Sequence, residues 1–188
     1  MAGVNRALAD TYLRKLYEKE IIEGAVKKKC VYFSYRPKDI AAADAIAQYL
    51  SENDIDVFLQ RNIIPDRNAK ERISQMEDGM DTSTHLLILL PGEAELPWIV
   101  PYEIGYAHRS GKGIASVMLK GKWTCSFPEY LKEERVIQDI ADFRKYAEEL
   151  RKKSGVYYKL FEKPMTEPQG LYPYIKSFTY SKCVKKTL

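Results

Sequence analysis

Five consecutive aliphatic residues, Leu86, Leu87, Ile88, Leu89 and Leu90, make the most apolar run of the chain, bounded by polar Thr84 and by Pro91-Gly92. A run this short, apolar at every position instead of every second one, must be shielded on both faces. It therefore reads as the central strand of a parallel sheet. It is also far below the roughly 20 residues that a membrane-spanning helix needs.

The segments around it alternate in kind. Residues 30–34 are β-branched and aromatic, and residues 39–52 carry Ile40, Ala43, Ile46, Ala47 and Leu50 at helical spacing. Residues 55–59 read as a second strand, 60–68 as a polar loop with Arg61, Pro65 and Asp66, and 69–80 as a helix ahead of the Leu86–Leu90 strand. A helix over 100–108, a strand over 113–119 and a strand edge with a helix over 137–153 complete the pattern. Strands and helices in this rhythm specify βαβ units with right-handed crossovers. The expected fold is a flavodoxin-like, three-layer α/β/α sandwich around a parallel sheet of about five strands. Ligands of such sheets bind beyond the carboxyl ends of the strands, which selects the segments 34–39, 60–68 and 91–103.

Three regions are expected: an amphipathic N-terminal helix within 1–28, a core domain over 29–153 and an extension over 154–188. With 45% hydrophobic and 30% charged residues the chain falls in the soluble globular range. The first 29 residues lack a secretory pattern, so a cytoplasmic protein without membrane partners is expected. Cys30, Cys125 and Cys183 lack ligand spacing, which predicts reduced thiols and no metal. The net charge of +4 is uneven, because residues 151–188 hold nine Lys/Arg against Glu162 and Glu167. Interleaved aromatics there, among them Tyr157, Tyr158, Tyr172 and Tyr174, are compatible with single-stranded nucleic acid. The preferred reading is a solvated face whose tyrosines pack back onto the domain or onto another subunit, with no nucleic-acid partner.

No repeat, phosphate-binding glycine loop or catalytic triad pattern is present, and His85 and His108 are the only imidazoles. His85, at the entry to the buried strand, reads as structural. His108, at a helix C-terminus, is accounted for by the helix dipole.

The order of segments resembles a Toll/interleukin-1 receptor-like (TIR) domain. Val31-Tyr32-Phe33-Ser34-Tyr35-Arg36 with Asp39 is similar to the family's opening motif. Asp56-Val57-Phe58-Leu59 with Arg61, Pro65 and Asp66 resembles its second strand and following loop. Pro97-Trp98-Ile99-Val100-Pro101-Tyr102-Glu103 resembles its Trp-to-Glu helix, the most specific of the three. The resemblance implies NAD⁺ glycohydrolase or ADP-ribosyl cyclase activity with Glu103 as the catalytic carboxylate and NAD⁺ as substrate, not cofactor. Breaking the nicotinamide–ribose bond leaves an oxocarbenium-like centre that an anion stabilises, and no metal is needed. Phe33, Tyr35 and Trp98 are the candidates to stack on the rings, with Ser34 in the same loop, and Arg36 or Arg61 to pair with the pyrophosphate.

The family spacing places three residues between Trp and Glu, whereas four intervene here. On one continuous helix a step of five residues turns the side chains by about 140°. Pro101 favours a helix start near Ile99 or Val100, leaving Trp98 in the loop and Glu103 in the first turn, where the dipole favours its ionised form. A short TIR protein of this kind resembles those of prokaryotic antiphage systems such as Thoeris, in which the product of NAD⁺ cleavage activates a separate effector. Self-association through TIR surfaces is part of the same expectation. Two alternatives stand beside it: a non-catalytic assembly module acting through the 60–68 loop, and a nucleoside 2-deoxyribosyltransferase-like enzyme.

Overall fold

The computed structural model describes residues 29–59, 69–91, 97, 99–120, 129–151 and 164–175. The expected N-terminal helix, the 60–68 loop with Arg61, Trp98, and the extension apart from 164–175 lie outside the described residues. The chain divides into two compact units, 1–28 with 152–165 and 29–151 with 166–188, and the sheet belongs to the second.

Five strands, β1 (Cys30–Ser34), β2 (Asp56–Phe58), β3 (His85–Leu90), β4 (Gly113–Met118) and β5 (Arg135–Ile137), form one sheet in the order β2-β1-β3-β4-β5. Every pairing is parallel. Four helices connect or follow them: α1 (Ile40–Glu52), α2 (Ala69–Thr82), α3 (Ile99–Arg109) and α4 (Ile140–Arg151). The flavodoxin-like expectation is met, with β3 at the centre and Leu86 to Leu90 all at most 1% exposed.

Strand alternation sorts the core into two layers. Tyr32, Leu86, Ile88, Leu90 and Ile114 pack with Met76 and Met80 of α2 and with Val100, Ile104 and Ala107 of α3. The intervening Phe33, Leu87, Leu89 and Val117 are equally buried and face the other layer, that of α1 and α4. There the rings of Tyr49 and Phe143 meet at 5.8 Å between centroids. Gly79 sits in the interior of α2, where glycine weakens a helix by about 1 kcal/mol relative to alanine. A Cβ there would lie 2.5 Å from Phe58 and 3.0 Å from Tyr32, so the helix approaches the stacked Tyr32–Phe58 pair only because that atom is missing.

Helix α1 ends in a Schellman arrangement: Asp54 takes a left-handed φ of 63°, its N–H bonds Ser51, and Ile55 N–H bonds the Leu50 carbonyl. Asn53, 2% exposed, then ties α1 to the C-terminal segment. It donates to the Tyr49 carbonyl and to Thr166 Oγ1, both at 2.7 Å, and accepts from Thr166 N–H at 2.9 Å. From there the chain crosses the α1 side, burying Pro168, Leu171 and Ile175. It reaches the carboxyl end of β4, where Ile175 bridges Leu119 antiparallel and Lys120 N–H bonds the Tyr174 carbonyl at 2.7 Å. Of the two readings left open for the extension's tyrosines, packing back onto the domain describes Tyr174, which is half-buried, whereas Tyr172 is 45% exposed.

Candidate active site

Strand order reverses between β1 and β3, so a crevice opens beyond their carboxyl ends. Ser34 is the last residue of β1 and points, like Tyr32, toward the α2–α3 layer. Helix α3 buries Val100, Glu103, Ile104 and Ala107, the spacing of an apolar stripe, with a carboxylate at one of its positions. Pro101 is the third residue of the helix, which starts at Ile99.

Glu103 is 5% exposed and Ser34 4%, and the Ser34 hydroxyl donates to Glu103 Oε2. Among the described residues no basic side chain forms an ion pair with Glu103. Burial pushes the carboxyl up from 4.5 to about 7, opposed by the Ser34 hydrogen bond, which favours the anion. This corrects the expected first-turn, dipole-stabilised carboxylate. Glu103 is the fifth residue of α3, beyond the reach of the dipole's strongest effect, and desolvation dominates. Beneath it Tyr32 is held as the neutral phenol by burial first and by the Glu103 charge second.

Two tyrosines missed by the sequence reading fix the rotation of α3. Tyr102 OH donates to Glu77 at 2.6 Å and Tyr106 OH to Asp81 at 2.8 Å, so residues four apart on α3 meet acids four apart on α2. The matched spacing of Tyr102/Tyr106 and Glu77/Asp81 is a signal the sequence does contain.

The structure brings Ser34 and Glu103 together and places other expected site residues differently. Phe33 is 2% exposed and faces the α1–α4 layer, because consecutive strand residues point to opposite sides. Tyr35 is half-buried just past the strand end. Arg36 makes a two-point pair with Asp39, Nε to Oδ2 at 2.5 Å and Nη2 to Oδ1 at 3.0 Å. Among the described residues its buried Nη1 has no hydrogen-bond partner, a state that costs about 1–3 kcal/mol. Trp98 and Arg61 lie outside the described residues.

Both histidines lie away from this crevice. His85 opens β3 at the amino-terminal end of the sheet, its ring over Gly113, where a Cβ would meet it at 2.5 Å. Burial, then the charge of Lys29, lowers it to about 4, so it is neutral at pH 7. His108 Nε2 lies 2.9 Å from Glu134. Among the described residues no cluster of His, Cys, Asp and Glu could hold a metal ion, and no helix is long and apolar enough to cross a membrane.

The chain is thus an α/β protein of flavodoxin-like strand order with a buried carboxyl at the switch point of its sheet. The family model for the TIR domain matches residues 31–153, and the chain belongs to that family. No curated protein matches it in sequence. Among solved structures it is similar to a CMP N-glycosidase, BcmB, of Clostridium botulinum, at 14% identity over 65% of this chain and 97% of that one, TM-score 0.43. A putative sugar-phosphate isomerase of Listeria monocytogenes matches at 9% identity over 80% and 85%, TM-score 0.39.

Proposed function

We propose that the chain is an NAD⁺-cleaving TIR enzyme in which Glu103 stabilises the ribosyl cation formed as nicotinamide leaves. The observation that carries this reading is the buried Glu103 carboxyl, held by the Ser34 hydroxyl at the switch point of a TIR fold. Such a group is costly to ionise in the empty site and gains most when positive charge develops beside it, which is the condition for transition-state stabilisation.

The C1′–N bond breaks and its electron pair returns to the pyridinium nitrogen, so nicotinamide leaves neutral. The positive charge then lies on C1′ and the ring oxygen, facing the Glu103 carboxylate. Water, or an atom of the same nucleotide, adds to C1′ and loses a proton, giving linear or cyclic ADP-ribose. Tyr35 and Trp98 stack on the bases. Arg61 pairs with the pyrophosphate, its guanidinium fork matching the phosphate oxygens. The cellular role that fits is a cytoplasmic, self-associating TIR protein whose product signals to a nucleotide-sensing effector in antiviral defence.

The test is nicotinamide release from NAD⁺ by the assembled protein, with products resolved by mass spectrometry and deoxynucleosides as competing substrates. Glu103→Gln is expected to lower the rate on the order of 10²–10³-fold. Release at the wild-type rate by that variant removes Glu103 from the mechanism, and no release by the assembled wild type leaves TIR-mediated assembly as the function.

A further inference from the structure

A cavity of about 330 Å³ lies on the α1 side of the sheet, at the carboxyl ends of three adjacent strands. Arg36 follows β1, Pro91 follows β3 and Lys120 follows β4, with the first turn of α1 and Tyr174 closing the sides. No residue of α2 or α3 lines it, so it is separate from the Ser34–Glu103 pair, although the 35–39 loop borders both. Its walls carry three cations, Arg36, Lys38 and Lys120, against one carboxylate, Asp39.

We propose that this cavity is a second site, one that binds a phosphate group. The Asp39 carboxylate orients the Arg36 guanidinium through Nε and Nη2, leaving Nη1 without a partner among the described residues. A phosphate oxygen against that guanidinium supplies the acceptor the fold does not, in the planar geometry that suits phosphate. Lys38 is exposed and forms no ion pair among the described residues. Lys120 is held at the rim by donating to the Tyr172 carbonyl. The helical run that begins at Pro37 and continues through α1 turns the positive end of its dipole toward the same space. The volume stands at the lower end of the roughly 300–1,000 Å³ range of ligand pockets, which fits a sugar phosphate or mononucleotide and excludes a whole dinucleotide.

The wall at Tyr174 is outside the family-matched residues 31–153. The cavity thus depends on the C-terminal segment docking at β4, and it does not depend on NAD⁺ cleavage.

Calorimetric titration of the full chain at low salt with ribose 5-phosphate, inorganic phosphate and ribose tests the site. Saturable binding of either phosphate, none of ribose, and weakening by added salt are expected. Tighter binding of the ester assigns the site to phosphoesters, and equal binding assigns it to free phosphate. Arg36→Gln and Lys38→Glu should each weaken binding about tenfold or more. The exposed Lys38 change guards against a folding defect in the Arg36 variant. Glu103→Gln should leave the affinity unchanged. The proposal is overturned by no saturable heat up to about 10 mM phosphate, by undiminished binding in both basic-residue variants, or by loss of binding in Glu103→Gln.

Discussion

A carboxyl that titrates near neutrality makes pH the sharpest probe of Glu103. With the group shifted from 4.5 to about 7, the unliganded protein holds mostly the protonated acid at pH 6 and mostly the anion at pH 8. kcat/KM for NAD⁺ should therefore rise with pH on a limb near 7, since this parameter reports the free enzyme. Removing the hydroxyl that favours the anion, in Ser34→Ala, should move the limb to higher pH. A limb that stays in place in that variant would show that another group is being titrated. Stability carries the opposite sign. A folded-state value above the unfolded one means that the native state binds more protons between pH 4.5 and 7, so the stabilisation is lost as pH rises through that window. Glu103→Gln should be the more stable protein at pH 8, by up to about 3 kcal/mol, and nearly level with wild type at pH 4. Paired denaturant melts at the two pH values measure this difference. The identity of Glu103 was legible in the motif around Pro97 to Ala107. Its environment was not, because burial depends on Ser34, 69 positions earlier in the chain.

At the scale of elements, helices were readable wherever an apolar stripe recurred, as in α1 and α3, and errors concentrated where no period could build up. β5 has only three residues and begins with Arg135, too short for alternation to show, and the sequence reading reached only Ile137. The end of α1 is a place where local chemistry is strained. Asp54 occupies the left-handed position that glycine fills without a Cβ clash. Asp54→Gly should raise stability by about 1 kcal/mol, seen as a higher denaturation midpoint with an unchanged slope. A lower midpoint would mean that the Asp54 side chain makes a compensating contact.

At the scale of the whole molecule, the C-terminal segment runs from Asn53 at the end of α1 to Lys120 beyond the carboxyl end of β4. Asn53→Ala should destabilise the fold by about 2–3 kcal/mol, because it deletes three hydrogen bonds and strands the Thr166 N–H. Amide exchange at Lys120, Tyr174 and Ile175 should accelerate in that variant, and unchanged exchange there would show that the segment docks without Asn53. By itself the sequence determined the layered class, the strand that lies at its centre and the carboxylate of its crevice, since periodicity and local motifs are carried by near neighbours. Only the tertiary structure decided that this carboxylate is buried and titrates near 7, that Phe33 turns away from it, and that residues 166–175 wall a second, basic cavity. The first and last of these rest on contacts between residues far apart in the chain, Ser34 with Glu103 and Asn53 with Thr166, which no local pattern encodes.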